Sequence, residues 1–334
     1  MPPRVTWLLP VRNGEQYLER TLISIAEQDY PTSAHTVYAW DDGSSDGTTD
    51  LLRKWIGREI DGRIIGTDRI GLGRALAQLT VSAQTELLAR IDADDIAEPD
   101  RLRRQVEFLC DHRKVGVLGT QMKSIDGKQV LTNLPTKDAE IRWSLRFTNP
   151  VSHPSVMLRR SAVLEAGNYR DLPPGNEDYD LWVRMALIVR FGTLDQPLLR
   201  YRIHDQSVTA GWTSDHGKHF YRRRNAMVDR LLPGVAPSDA VRLLDLIRRP
   251  DDLNVTAADL ARFRHAAMLA AKACRYDPTF FTSTALFKQQ YENLKTRHLK
   301  SQPFIRPIWP LLKQLNKVIH RPQPSDTVKE QAAA

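Results

Sequence analysis

The chain has 334 residues, room for one large domain and a smaller one. Its composition, 41% hydrophobic and 26% charged, is that of a globular protein, and the lack of any apolar run of about 18 residues argues against a membrane-spanning helix. Two cysteines, Cys110 and Cys274, fit neither a disulfide scaffold nor a zinc site, so a reduced, cytoplasmic setting is expected. Met1-Pro2-Pro3-Arg4 runs directly into a strand-like segment without the pattern of a signal peptide. The net charge of +8 is unevenly placed: residues 1–210 hold 27 Lys+Arg against 29 Asp+Glu, whereas residues 211–334 hold 21 against 11. The basic character therefore belongs to the C-terminal third and suits an anionic partner.

Taken in order, Arg4 to Leu9 reads as a first strand stopped by Pro10, and Glu15 to Gln28 as a helix with Leu18, Leu22, Ile25 and Ala26 on one face. Val37 to Trp40 is a second strand. It runs into Asp41-Asp42-Gly43-Ser44-Ser45-Asp46-Gly47, a loop of turn formers that ends in a helix start near Thr48. Arg63 to Ile65 is a short third strand, Gly71 to Ala83 a helix, Glu86 to Ile91 a strand, and Pro99 to His112 a helix with proline in its first turn. Val115 to Gly119 is another strand. This alternation predicts βαβ units and a mainly parallel sheet flanked by helices.

Beyond residue 120 the pattern loosens. Val130-Leu131 reads as an edge strand, Lys137 to Phe147 as a helix, and Pro154 to Leu158 as a strand. Asp178 to Val189 reads as a helix with Leu181, Trp182, Met185 and Ile188 on one face, and Pro197 to Ile203 closes the sheet region. From Thr213 the expected helices are 216–232, 237–248, 256–275 and 279–299, followed by a polar, disordered tail at 322–334.

Chemistry concentrates after the buried run Leu87-Leu88-Ala89, where Asp92, Asp94 and Asp95 place three carboxylates within four residues. They fall at the C-terminal end of a strand, where open α/β sheets bind ligands. Asp92 and Asp94 are two residues apart and would share one side of an extended chain. Like charges this close raise each other's pKa unless a cation intervenes, and a hard divalent ion takes oxygen ligands of this kind. An isolated D-x-D is more often a solvated turn that caps the next helix.

Six stretches together carry a specific resemblance. They are Leu9-Pro10-Val11-Arg12-Asn13-Gly14-Glu15; Asp41 through Thr48; Asp92-Ala93-Asp94-Asp95 with Pro99-Asp100-Arg101-Leu102; His153-Pro154-Ser155-Val156-Met157; Glu177-Asp178-Tyr179-Asp180-Leu181-Trp182; and Tyr201-Arg202-Ile203-His204. In this order and spacing the chain resembles the GT-A fold glycosyltransferases of family 2 over residues 4–205. The resemblance implies a Rossmann-like catalytic domain over residues 1–210. Its nucleotide-sugar half would be about 1–120 and its acceptor half about 121–210; the residues beyond, by their own helical pattern and charge, read as a helical, basic extension at 211–321. It implies an inverting, metal-dependent transfer of sugar from a nucleotide-sugar, UDP-linked by expectation, to a glycan or lipid-linked acceptor in envelope or extracellular polysaccharide synthesis.

The resemblance also assigns residues. Pro10, Val11, Asn13, Glu15, Asp42, Arg74, Asp92 and Ala93 match positions around the nucleotide-sugar, Asp42 accepting a hydrogen bond from the base. Asp94 matches a ligand of Mn²⁺ or Mg²⁺, and His204 a position that adds a nitrogen ligand in some relatives. Ala77-Gln78 departs from the family, which commonly has an Asn there. Asp178 matches the general base that takes the acceptor's proton, with a helix N-terminus to keep it ionised. His153, Glu177 and Trp182 fall on the acceptor side, where His153 is equally a loop histidine and Trp182 more often a core residue.

The C-terminal third lies outside the resemblance. Arg222-Arg223-Arg224 and the run Phe304 to Ile319, with Trp309 and spaced bases, suit an anionic membrane surface at the inner face of the membrane. They equally suit helices packed on the catalytic domain with their bases in water. Two other function classes compete. A nucleotidyltransferase acting on sugar phosphates would need a glycine- and lysine-rich phosphate loop, which Pro10 to Glu15 does not supply. A nucleic-acid-binding protein would interleave its bases with stacking aromatics or carry a known motif, and neither occurs.

Overall fold

The computed structural model describes residues 2–173, 175–203, 227, 234–248, 255–274 and 280–301. Its centre is an eight-stranded sheet. In chain order the strands are β1 (Val5–Val11), β2 (His35–Asp41), β3 (Gly62–Gly66), β4 (Leu87–Arg90), β5 (Ile96–Ala97), β6 (Val115–Ser124), β7 (Met157–Arg159) and β8 (Arg190–Tyr201). They lie in the order β3-β2-β1-β4-β7-β6-β8-β5. The first four positions are parallel, β7 is antiparallel to both its neighbours, β6 and β8 are parallel, and β5 caps β8 antiparallel. The sheet is mainly parallel, as expected, and β1 to β4 supply its uninterrupted parallel part.

Alternation along the strands feeds two cores, one on each face. Trp7, Leu9, Val37, Ala39, Leu87 and Ala89 point to one side, where they meet α1 (Glu15–Ala26), α2 (Thr48–Trp55) and α4 (Arg101–Asp111). Leu8, Tyr38, Trp40 and Leu88 point to the other, against α3 (Leu72–Ser82), α6 (Arg160–Glu165) and α7 (Glu177–Met185). The chain leaves β1 toward β2 on one side and later returns to β4 on the other. The C-terminal ends of β1 and β4 therefore flank a topological switch point, where a crevice opens.

Several elements differ from the expected boundaries. Residues 153–155 form a 3₁₀ turn instead of the start of a strand, because Pro154 cannot donate to a ladder; β7 begins only at Met157. Val130 makes a single bridge to Lys123. α7 starts one residue earlier, at Glu177, and ends before Ile188, which is exposed. Two short elements, β5 and α6, escaped the sequence reading because two and six residues are too few to show a period.

A third core joins the C-terminal helices to α5 (Asp138–Ser144), beside the sheet. The helices are α8 (Pro237–Arg248), α9 (Ala257–Ala273) and α10 (Ala285–Ser301). Trp143 of α5 is the knob. Its ring is ringed by Phe263, Phe281 and Phe287 at centroid distances of 5.4–5.6 Å, and its indole N–H donates to Gln290 Oε1 at 2.6 Å. α9 begins with a capping box between Thr256 and Asp259, and Arg242 of α8 grips the same carboxylate with two bonds of 2.7 Å. Apart from Met227, the expected helix over 216–232 lies outside the described residues, as do the triple arginine at 222–224, the segment 304–319 and the tail from 322. Among the described residues, no helix is long and apolar enough to cross a membrane.

Trp143→Ala should loosen this third core. Removing a buried Trp typically costs about 3–5 kcal/mol, so urea denaturation should show a markedly lower midpoint or an early transition of the helical unit. A stability equal to wild type would mean that α8–α10 do not depend on this contact.

Candidate active site

The crevice at the switch point is a cleft of about 640 Å³. On one wall stand Asp92, Ala93 and Asp94; on the facing wall stand His153, Glu177 and Asp178. Pro10, Val11, Asn13 and Asp42 also line it. Two loops make the rim nearest β1 and β2. Asn13 sits in the left-handed region at φ 50°, which Asn tolerates; its N–H donates to Ser44 Oγ and its Oδ1 accepts from the Ser45 N–H, both at 2.9 Å. Glu15 turns out of the cleft, where its Oε2 accepts from the Gly47 N–H at 2.9 Å. The two loops are stitched into one wall.

Asp42 is equally engaged. Its Oδ1 accepts from the backbone N–H groups of Ile70 (2.6 Å) and Gly71 (2.7 Å), so it holds the loop before α3 while facing the cleft. Gly71 has φ 85°, a conformation that costs glycine little and other residues much. Arg74 does not reach the cleft: it pairs with Asp171 at 2.6 Å on the surface. Trp182 is fully buried in the core beneath the cleft, with its ring edge-on to His153 at 5.7 Å. His204 lies outside the described residues.

The loop after β4 is fixed from below. Thr21 Oγ1 of α1 lies 2.9 Å from the Ala93 carbonyl and 2.8 Å from that of Asp95, so it can donate to either. The Arg202 N–H donates to Asp95 Oδ1 at 3.0 Å, and Arg202 Nε donates to the Asp94 carbonyl at 3.0 Å while the guanidinium covers the Tyr17 ring at 4.2 Å. Carboxylate oxygens of Asp92, Asp94 and Asp95 lie within 4.8 Å of one another. Burial pushes the Asp95 carboxyl well above the usual range, and the charges of Asp92 and Asp94 push it further. Its Oδ2 is buried without a hydrogen-bond partner. Three hard oxygen donors, one of them an orphan, fit a divalent cation.

The sequence reading missed Arg90. It is the last residue of β4, almost fully buried, and its Nη1 donates to Asp92 Oδ2 at 2.6 Å while Nη2 pairs with Asp92 Oδ1. Arg101 Nη2, itself buried over the Trp7 ring at 5.0 Å, donates to the Arg90 carbonyl at 2.6 Å and braces the strand end. A lone arginine inside an apolar strand was the available signal, because such a charge demands a partner.

The facing wall is acidic and buried. Glu177 and Asp178 open α7, and Glu177 Oε2 accepts from the N–H groups of Gly175 (2.9 Å) and Asn176 (3.1 Å). Burial pushes the Glu177 carboxyl up to about 7, with the Asp178 charge adding to the rise. Burial also raises Asp178, opposed by a hydrogen bond from Asn149 Nδ2 at 2.7 Å. His153 Nε2 lies 3.0 Å from the Tyr169 hydroxyl. Burial and the nearby Arg90 charge hold its pKa well below the ordinary value, so it is neutral.

Residues 6–166 match the profile of Glycosyl transferase family 2. They belong to that family. Over 148 residues the chain is 32% identical to the amylovoran biosynthesis glycosyltransferase AmsE of Erwinia amylovora, covering 43% of this chain and 55% of that protein. It is 27% identical over 210 residues to the O-antigen biosynthesis glycosyltransferase WbnJ of Escherichia coli, covering 61% of this chain and 81% of that one. The chain thus spans about half the length of AmsE. Its fold is also that of residues 1–349 of Staphylococcus aureus TarS, solved with UDP-GlcNAc: TM-score 0.60, 17% identity, 89% of this chain and 91% of the other. The mannosyltransferase PcManGT of Pyrobaculum calidifontis, solved with GDP-Man and Mn²⁺, matches at TM-score 0.54 and 20% identity over 90% and 88%. The GT-A fold of the family 2 domain is therefore shared with both.

The raised Glu177 pKa has a measurable consequence in the metal-free protein. Folded Glu177 keeps its proton up to about pH 7, whereas the unfolded chain releases it near 4.5. The folded state binds more protons across that window, so stability falls as pH rises through it. Chemical denaturation with EDTA at about pH 5 and about pH 7.5 should show a larger loss for wild type than for Glu177→Gln. Equal losses would mean that Glu177 titrates normally.

Proposed function

We propose that the protein is an inverting glycosyltransferase that moves a sugar from a nucleotide-sugar, UDP-linked, to an acceptor hydroxyl in polysaccharide or glycolipid synthesis. The observation that carries this reading is the pairing of walls in one cleft, the Asp92–Asp95 group against Glu177 and Asp178, within a domain of family 2. The likeness to a protein solved with UDP-GlcNAc supports the donor class, and the names of AmsE and WbnJ support the pathway class.

Asp94 and Asp95 would hold a divalent ion, with Asp92 beside them on Arg90; the ion, when bound, supplies positive charge to the departing diphosphate. Asp178 takes the proton of the acceptor hydroxyl as its oxygen attacks the anomeric carbon. The new C–O bond forms opposite the breaking bond, whose electron pair leaves with the diphosphate, and the anomeric centre inverts. Pro10, Val11, Asn13, Asp42, Asp92 and Ala93 form the nucleotide-sugar wall. His153, neutral and tied to Tyr169, shapes the acceptor end. The excess of base in residues 211–334 supports a peripheral role on an anionic membrane surface, where each base contributes about 1 kcal/mol.

Asp94→Asn should retain the fold and lose Mn²⁺-dependent binding of UDP in calorimetry; undiminished binding would remove Asp94 from the metal site. Asp178→Asn should bind the donor normally and turn over about 10²–10⁴-fold more slowly. Glu177→Gln alters the neighbouring charge and serves as control. If Asp178→Asn stays active while Glu177→Gln is dead, the base is Glu177. If both stay active, neither is the base and the pair serves only the helix end.

A further inference from the structure

One polar side chain at the acceptor end of the cleft has no part in the mechanism above. Asn149 follows α5, in the segment that leads to the 3₁₀ turn at His153–Ser155. Its Nδ2 donates to Asp178 Oδ2 at 2.7 Å, and its Oδ1 accepts from the Val151 N–H at 3.3 Å. The second bond settles which end of the amide faces the acid. Asp178 Oδ1 accepts from the Tyr179 N–H at 2.6 Å, so each carboxylate oxygen has one neutral donor. The two segments are tied together again nearby, where the Tyr179 hydroxyl donates to the Leu145 carbonyl at 2.6 Å.

We propose that Asn149 is a positioning residue for Asp178: its amide fixes the plane of the carboxylate toward the cleft and keeps it ionised until it receives the acceptor's proton. The proposal rests on the reading of Asp178 as the base. A carboxylate in this place is opposed by burial. The groups that face it are Glu177 on α7, Arg90 on β4, the Tyr169 phenol from the turn after α6, and neutral His153. Arg90 is committed to Asp92. A neutral amide favours the ionised form without supplying a competing charge, so the carboxylate remains basic enough to accept a proton. In the step itself the proton passes from the acceptor oxygen to Asp178, and the Asn149 amide keeps both of its own.

The test follows the Asp178 carboxyl directly, by NMR of full-length protein carrying ¹³C in its aspartate carboxyl groups; loss of one resonance in Asp178→Asn assigns it. Asn149→Ala should move the Asp178 midpoint upward by on the order of one pH unit. Asn149→Asp, which sets a second charge beside it, should move it further, and Asn149→Ser, which retains a donor, less. The acidic limb of kcat/KM for UDP release from UDP-GlcNAc by hydrolysis should move by the same amount with KM unchanged. A residue that only supports the fold would lower the melting temperature and leave both limbs where they are. If Asp178→Asn is inactive and the midpoint and limb stay put in folded Asn149→Ala and Asn149→Ser, this proposal alone is overturned. If Asp178→Asn is fully active, the base assignment falls and takes this proposal with it.

Discussion

A single buried guanidinium sets the electrostatics of the cleft. Arg90 sits at the end of the central strand among four carboxylates: Asp92 and Asp95 from its own loop, and Glu177 and Asp178 from the start of α7. Taking an arginine out of water is unfavourable unless its geometry with a partner is good, and breaking such a pair is worse than never having built it. The two-pronged contact with Asp92 meets that condition. It also divides labour within the group of three carboxylates: both oxygens of Asp92 are committed to Arg90, whereas Asp95 keeps an orphan oxygen. The same positive charge reaches across the cleft, lowering His153 and restraining the rise of Glu177 and Asp178.

Topology explains why these groups meet. β4 is central, between β1 and β7, so its C-terminal end opens into the crevice left by the reversal of strand order. The antiparallel β7 then carries the chain back, so that the 3₁₀ turn before it delivers His153 to the same end, and the turn before α7 delivers Glu177 and Asp178. The rim is rigid for a local reason. The β1–α1 and β2–α2 loops exchange hydrogen bonds through Asn13, Gly14 and Glu15, and Thr48 Oγ1 receives the Gly14 N–H at 2.8 Å.

How far the sequence could be read follows from these facts. The parallel half was legible because each strand there is an apolar run bounded by turn formers, and the D-x-D because charge after such a run is conspicuous. What spacing could not distinguish was a side chain that faces the cleft from one that builds its wall. Glu15 stands in the same motif as Pro10 and Val11, yet its carboxylate is spent on Gly47; Arg74 stands near the cleft in sequence and pairs with Asp171 instead. Asn149 carries no local pattern, since its partner is 29 residues away and on another element. Arg90 was visible as an anomaly, and its partner was two residues along, on the same face.

The helical unit outside the family 2 match is connected to this chemistry through α5. Trp143 is held by the third core, and Arg146, one turn on, is buried over the rings of Trp143 (5.1 Å) and Phe281 (4.5 Å). The end of α5 is thus clamped on its outer side by α9, α10 and the turn between them. On its inner side Leu145 accepts the Tyr179 hydroxyl, and three residues past Arg146 comes the amide that holds Asp178. Packed side chains transmit displacement because interiors are close-packed and deform little. A shift of the C-terminal helices against α5 would therefore be felt at the carboxylate opposite the D-x-D, and the least family-like part of the chain bears on the geometry of its most family-like site.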